Sequence, residues 1–127
     1  MPMESKYFKH HELKCKCGCD KCLIQKDFLE KLDDLRQSMD MPLIITSGYR
    51  CPDHNEKVSS SGRNGSHTTG RAVDIAVNRK DAYLLLQYAF LKKFTGIGVA
   101  QKGTGRFIHL DDLESLDRGV RPTVWSY

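Results

Sequence analysis

The sequence predicts a single α+β domain, residues 1–127, with a small, mainly antiparallel sheet flanked by helices. Three observations carry that expectation. Two long segments have apolar residues at helical spacing, several short β-branched runs lie between turn signals, and the order of these elements does not alternate as a parallel βαβ series does. At 127 residues the chain is long enough for one core and short for two.

In chain order, "YFKHHELK" (7–14) reads as one short amphipathic helical turn that leads into the cysteine-rich stretch "CKCGCDKC". Residues 1–24 make up this N-terminal segment. "QKDFLEKLDDLRQSM" (25–39) is the clearest helix, because Phe28, Leu29, Leu32, Leu35 and Met39 recur at three- and four-residue steps with charges opposite. "LIITS" (43–47), bounded by Pro42 and Gly48, reads as a buried strand. The stretch 48–66 is a long loop rich in Ser, Gly and Asn, with a short helix after Pro52, and long ordered loops in small domains are usually functional. "RAVDIAV" (71–77) is the next strand and "RKDAYLLLQYAFLKK" (79–93) the second helix. "TGIGVA" and "RFIHLDD", joined by the turn "QKGTG", read as a β-hairpin, and the tail "RGVRPTVWSY" is extended, with aromatics that close over the domain.

Composition narrows the function classes. Lys+Arg 20 against Asp+Glu 16 gives a net charge of +4, and the cations are scattered with no basic stripe, which argues against a nucleic-acid partner. A weakly cationic surface suits an anionic polymer such as a cell wall. No apolar stretch is long enough for a membrane span. "MPMESKYFKHHELKCK" lacks the apolar centre of a secretory signal, so the expectation is synthesis in the cytoplasm. A monomer is the default for a domain of this size.

One constellation carries chemistry. His67 ends the long loop and Asp74 sits in the middle of a strand among Ala72, Val73, Ile75 and Ala76, where a carboxylate is costly unless paired or bound to a metal. The intervening "TTG" is a turn that lets the chain double back, and Gly70 permits a backbone conformation that a residue with a Cβ resists. On the last strand, alternation puts Phe107, His109 and Asp111 on one face and Ile108 and Leu110 on the other. Taken singly, His67 fits a loop histidine, Asp74 a satisfied core carboxylate and His109 a hydrogen-bonded buried histidine. Together, two imidazoles and one carboxylate form a ligand set of catalytic zinc, which leaves one position open for water.

"SGYRCPDHNEKV", "SHTTGRAVDI", "FIHLDD" and the terminal "RPTVWSY" together resemble the M15 zinc peptidases, over roughly residues 5 to 127. Within these the chain looks most like the single-domain D-alanyl-D-alanine carboxypeptidase-like enzymes of phages and bacteria. The specific part is H-x-x-G-x-A-x-D, matched by His67, Gly70, Ala72 and Asp74. The resemblance implies the small α+β zinc-peptidase fold shared with the hedgehog signalling domain, and zinc held by His67, Asp74 and His109. It also implies that Arg50 faces the site and holds a substrate carboxylate; a planar guanidinium suits that task, and a structural ion pair is the alternative. The implied activity is hydrolysis of D-amino-acid-containing peptides of peptidoglycan, by carboxypeptidase or endopeptidase action. The implied setting is the cell wall, in phage lysis, phage entry or wall upkeep, and the lack of a secretory signal leans toward a phage protein released through a pore.

The sequence departs from the family at two places. Several relatives carry an acid a few residues before the last zinc histidine, but "QKGTGRFI" has none, so Asp111 is the candidate general base by strand parity. Many also carry a serine two residues before the first zinc histidine, where this chain has Gly65. The missing acid keeps a second reading open, a zinc-containing module of the same fold that binds wall peptides or a partner without cutting. Cys15, Cys17, Cys19, Cys22 and Cys51 allow a second metal, disulfides or free thiols, and a redox or metal-handling role would be built on them.

Overall fold

The computed structural model describes residues 5–115 and 119–127. The first four residues of the N-terminal segment and Arg118, the first of the expected tail, lie outside them. Four helices are described, α1 (His10–Leu13), α2 (Lys26–Met39), α3 (Pro52–Val58) and α4 (Arg79–Leu91). Five strands, β1 (Ile44–Ser47), β2 (Ala72–Ala76), β3 (Gly96–Ala100), β4 (Phe107–Asp111) and β5 (Thr123–Ser126), form one sheet in the order β1-β2-β4-β3-β5. All neighbours are antiparallel except β3 and β5. The expected α+β architecture is therefore the observed one. The extended tail goes further than expected and becomes the fifth strand.

The two faces of the sheet do different work. Val73 and Ile75 of β2, Ile108 and Leu110 of β4 and Ile97 of β3 point to one side, where they form a core with Phe28, Leu32 and Leu35 of α2 and Leu85 and Ala89 of α4. Each fully buried Leu or Ile contributes about 1.5–3 kcal/mol there. Phe28 meets Phe94 edge to face at 6.1 Å between ring centres, closing the core beyond α4. α2 ends at Asp40, whose left-handed backbone (φ 51°) lets its N–H reach back to Arg36 and Gln37 carbonyls before Pro42. α4 leaves Tyr83, Phe90 and Leu91 exposed.

The opposite face holds the polar residues, and β3 makes room for them by having glycine at alternate positions. A Cβ on Gly96 would overlap the Asp111 carboxylate, and one on Gly98 would lie 2.6 Å from the indole nitrogen of Trp125. "GIG" is thus a packing requirement, with Ile97 serving the core and both glycines serving the other side. The N-terminal segment is fastened to the end of β1, where Tyr49 N–H donates to the Leu13 carbonyl at 2.9 Å and Leu13 is fully buried.

Candidate metal centre

Sheet register assembles the site. Ser47, Asp74, His109, Gly98 and Trp125 lie in one row across β1, β2, β4, β3 and β5. Paired residues on neighbouring strands have side chains on the same face about 5 Å apart, so Asp74 and His109 have to meet. His67 comes from outside the sheet, on a 3₁₀ turn at Ser66–Thr69. Gly70 follows with φ +76° and turns the chain into β2, which brings His67 back over Asp74.

Asp74 Oδ1 lies 3.3 Å from His67 Nε2 and 3.1 Å from His109 Nδ1, and the two imidazole rings meet edge to face at 5.1 Å. One ligand atom from each of the three residues falls within 4.8 Å of the others. All three are buried, at 5%, 7% and 2% exposure for His67, Asp74 and His109.

The far nitrogen of each ring is already committed. His67 Nδ1 is 2.8 Å from the Gly48 carbonyl, which can only accept, so Nδ1 carries the proton and Nε2 presents a lone pair to the site. His109 Nε2 is 2.7 Å from Asp111 Oδ2, so it donates there and turns the Nδ1 lone pair inward. With both rings neutral, two lone pairs converge on one carboxylate oxygen, whereas a ring that takes up a proton on that nitrogen donates it to Asp74. Such a donor set suits a cation at the centre, and the chemistry of two imidazoles and a carboxylate fits zinc.

Charge in the site follows from its burial. Burial works to raise the Asp74 carboxyl, but hydrogen bonding to His109 and His67 outweighs it and holds that group well below the usual carboxylate range. For His109, burial opposes the charged form, while Asp111 and Asp74 favour it and raise its pKa.

Asp111, expected as the general base, sits elsewhere. It is fully buried behind His109, and both its oxygens are taken by Arg121, through Nε to Oδ1 and Nη2 to Oδ2, each at 2.9 Å. Leu113 N–H adds a third bond. Burial pushes its carboxyl up, but the bonds to His109 and Arg121 win and hold it at about 2. It does not line the cavity in front of the three ligand residues. Strand parity placed Asp111 correctly on the His109 face, but Arg121 and His109 use up its oxygens.

Arg50 does reach the cavity. Its Nε donates to Ser47 Oγ and its Nη1 to Asn55 Oδ1, both at 3.0 Å, and its Nη2 faces Asp74 Oδ2 at 3.6 Å. The cavity holds about 340 Å³ and is walled by Arg50, Ser59–Ser61 and the aromatics Phe107, Trp125 and Tyr127. Asp112 turns away and pairs with Arg71, which also grips Asp27. His10 and His11 lie on α1 and His54 on α3, outside the centre.

Two contributors escaped the sequence reading. Asn55 is almost fully buried and ties Arg50 to Ser61 and the Gly62 carbonyl, and Arg121 locks Asp111. Only a polar residue in the first turns of a short helix, and an arginine before Pro122, hinted at them. Among curated proteins none matches this sequence. A family model described as peptidase M15 does match, over residues 6–111, a span that takes in His67, Asp74, His109 and the carboxylate behind His109. With that match covering most of its length, the chain belongs to the peptidase M15 family of metallopeptidases.

Proposed function

We propose that this protein is a zinc-dependent peptidase that hydrolyses D-amino-acid-containing peptides of peptidoglycan. The observation that carries this reading is the convergence of His67, Asp74 and His109 at the floor of a cavity whose wall bears Arg50. When bound, zinc supplies an acidified water and polarises the scissile carbonyl. The chain's own residues would hold the ion and position the peptide. His67 and His109 hold their nitrogens ready because Gly48 and Asp111 fix their tautomers. Arg50, immobilised by Ser47 and Asn55, anchors the free carboxylate or acidic side chain of a wall peptide and so selects which bond lies over the ligand set. Trp125 and Tyr127 give the cavity an aromatic wall on the β5 side.

Asp111 is assigned here as the carboxylate that orients His109, not as the group that takes a proton from water. One observation favours a second reading, that of a binding module without cleavage. Among the described residues lining the cavity, Asp74 is the only carboxylate.

A single experiment separates the two readings. Purified protein is incubated with peptidoglycan fragments, with and without a chelator, and the products are identified by mass. Chelator-sensitive release of D-alanine marks a carboxypeptidase, and release of an internal peptide marks an endopeptidase. Retention of fragments without any release, in zinc-replete protein, would replace the enzyme with the binding module.

A further inference from the structure

We propose that the protein carries a second metal centre, a structural zinc ion held by the thiolates of Cys15, Cys17, Cys19 and Cys51. The four sulfurs come from two places far apart in the chain, the segment after α1 and the residue that caps α3. They nevertheless gather so that one sulfur from each lies within 4.8 Å of the rest. Cys15 Sγ is 3.5 Å from Cys17 Sγ, and Cys17 Sγ is 3.6 Å from Cys51 Sγ. A tetrahedral ion with Zn–S bonds of about 2.3 Å needs sulfurs about 3.8 Å apart. None of these four thiols is bridged to another.

The backbone is shaped for this gathering. Gly18 at φ +97° and Asp20 at φ +59° reverse the chain, and Cys15 N–H closes the loop on the Lys21 carbonyl at 2.7 Å. The three cysteines of "CKCGC" are thereby wrapped around one point. Two backbone amides are aimed at sulfur: Cys51 N–H at Cys15 Sγ, 3.3 Å, and His54 N–H at Cys51 Sγ, 3.4 Å. Such donors stabilise thiolate over thiol. Lys21 and Lys57 border the same hollow and offset the net negative charge of four thiolates around a divalent ion. Cys22 stands apart, buried in the hydrophobic core.

Four protein thiolates leave no position for water, so this centre is structural where the His/Asp centre is open. On binding, four Zn–S bonds form and the thiol protons pass to solvent. The ion would clamp the N-terminal segment to Cys51, next in sequence to Arg50, and only three residues from the carbonyl of Gly48 that orients His67. It is a fastening for the substrate loop.

Zinc content is measured by elemental analysis on full-length protein purified under reducing conditions, comparing wild type, the His67→Ala/His109→Ala double variant and Cys19→Ser. The double variant isolates the thiolate centre, and it should retain about one zinc per chain, released by a mercurial reagent. Cys19 is exposed, so its replacement spares the core and should remove about one zinc. Wild-type protein loaded with cobalt should show thiolate-to-cobalt charge-transfer absorption, a readout that does not depend on the variants folding or on peptidase activity. A wild-type protein with no mercurial-releasable zinc and no such absorption overturns the proposal. A red protein with iron in place of zinc overturns the identity of the ion.

Discussion

Two clusters of side chains that could hold a metal ion sit among the described residues, and they are built in opposite ways. His67, Asp74 and His109 are buried, and two of them are fixed by sheet register in one row with Gly98 and Trp125. The cysteines lie on a loop and a helix cap, with Cys17 and Cys19 exposed. In the first cluster each imidazole is pre-oriented by a partner behind it, and the front opens on a cavity. In the second, the sulfurs gather around a point, and the preparation is in the backbone, through the chain reversal at Gly18 and Asp20 and amides aimed at sulfur. A rigid frame with an open position is what chemistry needs, whereas a closed ring of ligands is what a clamp needs.

The largest expected effect tests whether the two clusters are independent. His67→Ala should reduce wall-peptide hydrolysis to background and lower metal content by about one ion per chain, leaving mercurial-releasable zinc unchanged. Loss of both ions together would show that the clusters fold as one unit.

Next in size is the ion pair behind His109. Arg121→Met leaves the buried Asp111 carboxylate facing His109 without its cation, and removing one partner of a buried pair typically costs about 3–5 kcal/mol. Denaturant unfolding of metal-free protein measures it. A change within experimental error would mean that Asp111 is satisfied without Arg121.

A smaller effect distinguishes an orienting carboxylate from a base. Asp111→Asn should weaken metal binding at the His/Asp centre by about 10–100-fold, as loss of a partner behind a ligating histidine usually does. If Asp111 were the base, the metal would stay bound with unchanged affinity and only turnover would fall, by about 10²–10⁴-fold.

Acidity gives the smallest effect. The folded Asp111 carboxyl is held at about 2, below its unfolded value of about 4. Its contribution to stability is therefore complete above pH 4 and lost as pH falls through about 2, amounting to about 2 kcal/mol. Comparing unfolding of wild-type and Asp111→Asn protein between these pH values should show the wild type losing its advantage. Parallel curves would assign the acid sensitivity to other carboxylates.

Much of the fold was legible because local periodicity encodes it. The apolar spacing from Phe28 to Leu35 placed α2, and the alternation in "RFIHLDD" placed Ile108 and Leu110 in the core with His109 on the other face. The expected ends differ from the observed ones by a few residues, as with the first helical turn, read over 7–14 and found at His10–Leu13. β5 was legible only as an extended tail, since nothing local says that it pairs in parallel with β3. Asn55 was hidden for a related reason, because its value lies in joining Arg50 to Ser61 and Gly62 across the long loop.

The sequence by itself determined which side chains were chemically equipped and which face each would take, because both follow from residue type and from the repeat of helix and strand. It brought His67 towards Asp74 through the turn at Gly70, a matter of a few bonds. Tertiary structure alone decided who shares whose lone pairs. Asp111 became the partner of His109 and Arg121 instead of facing the cavity because β5 folds back beside β3 and carries Arg121 with it. Three cysteines of one loop met a fourth at residue 51 because the segment after α1 docks at the end of β1, where Tyr49 N–H donates to the Leu13 carbonyl. A hydrogen-bond partner is fixed by long-range register, which no local pattern records.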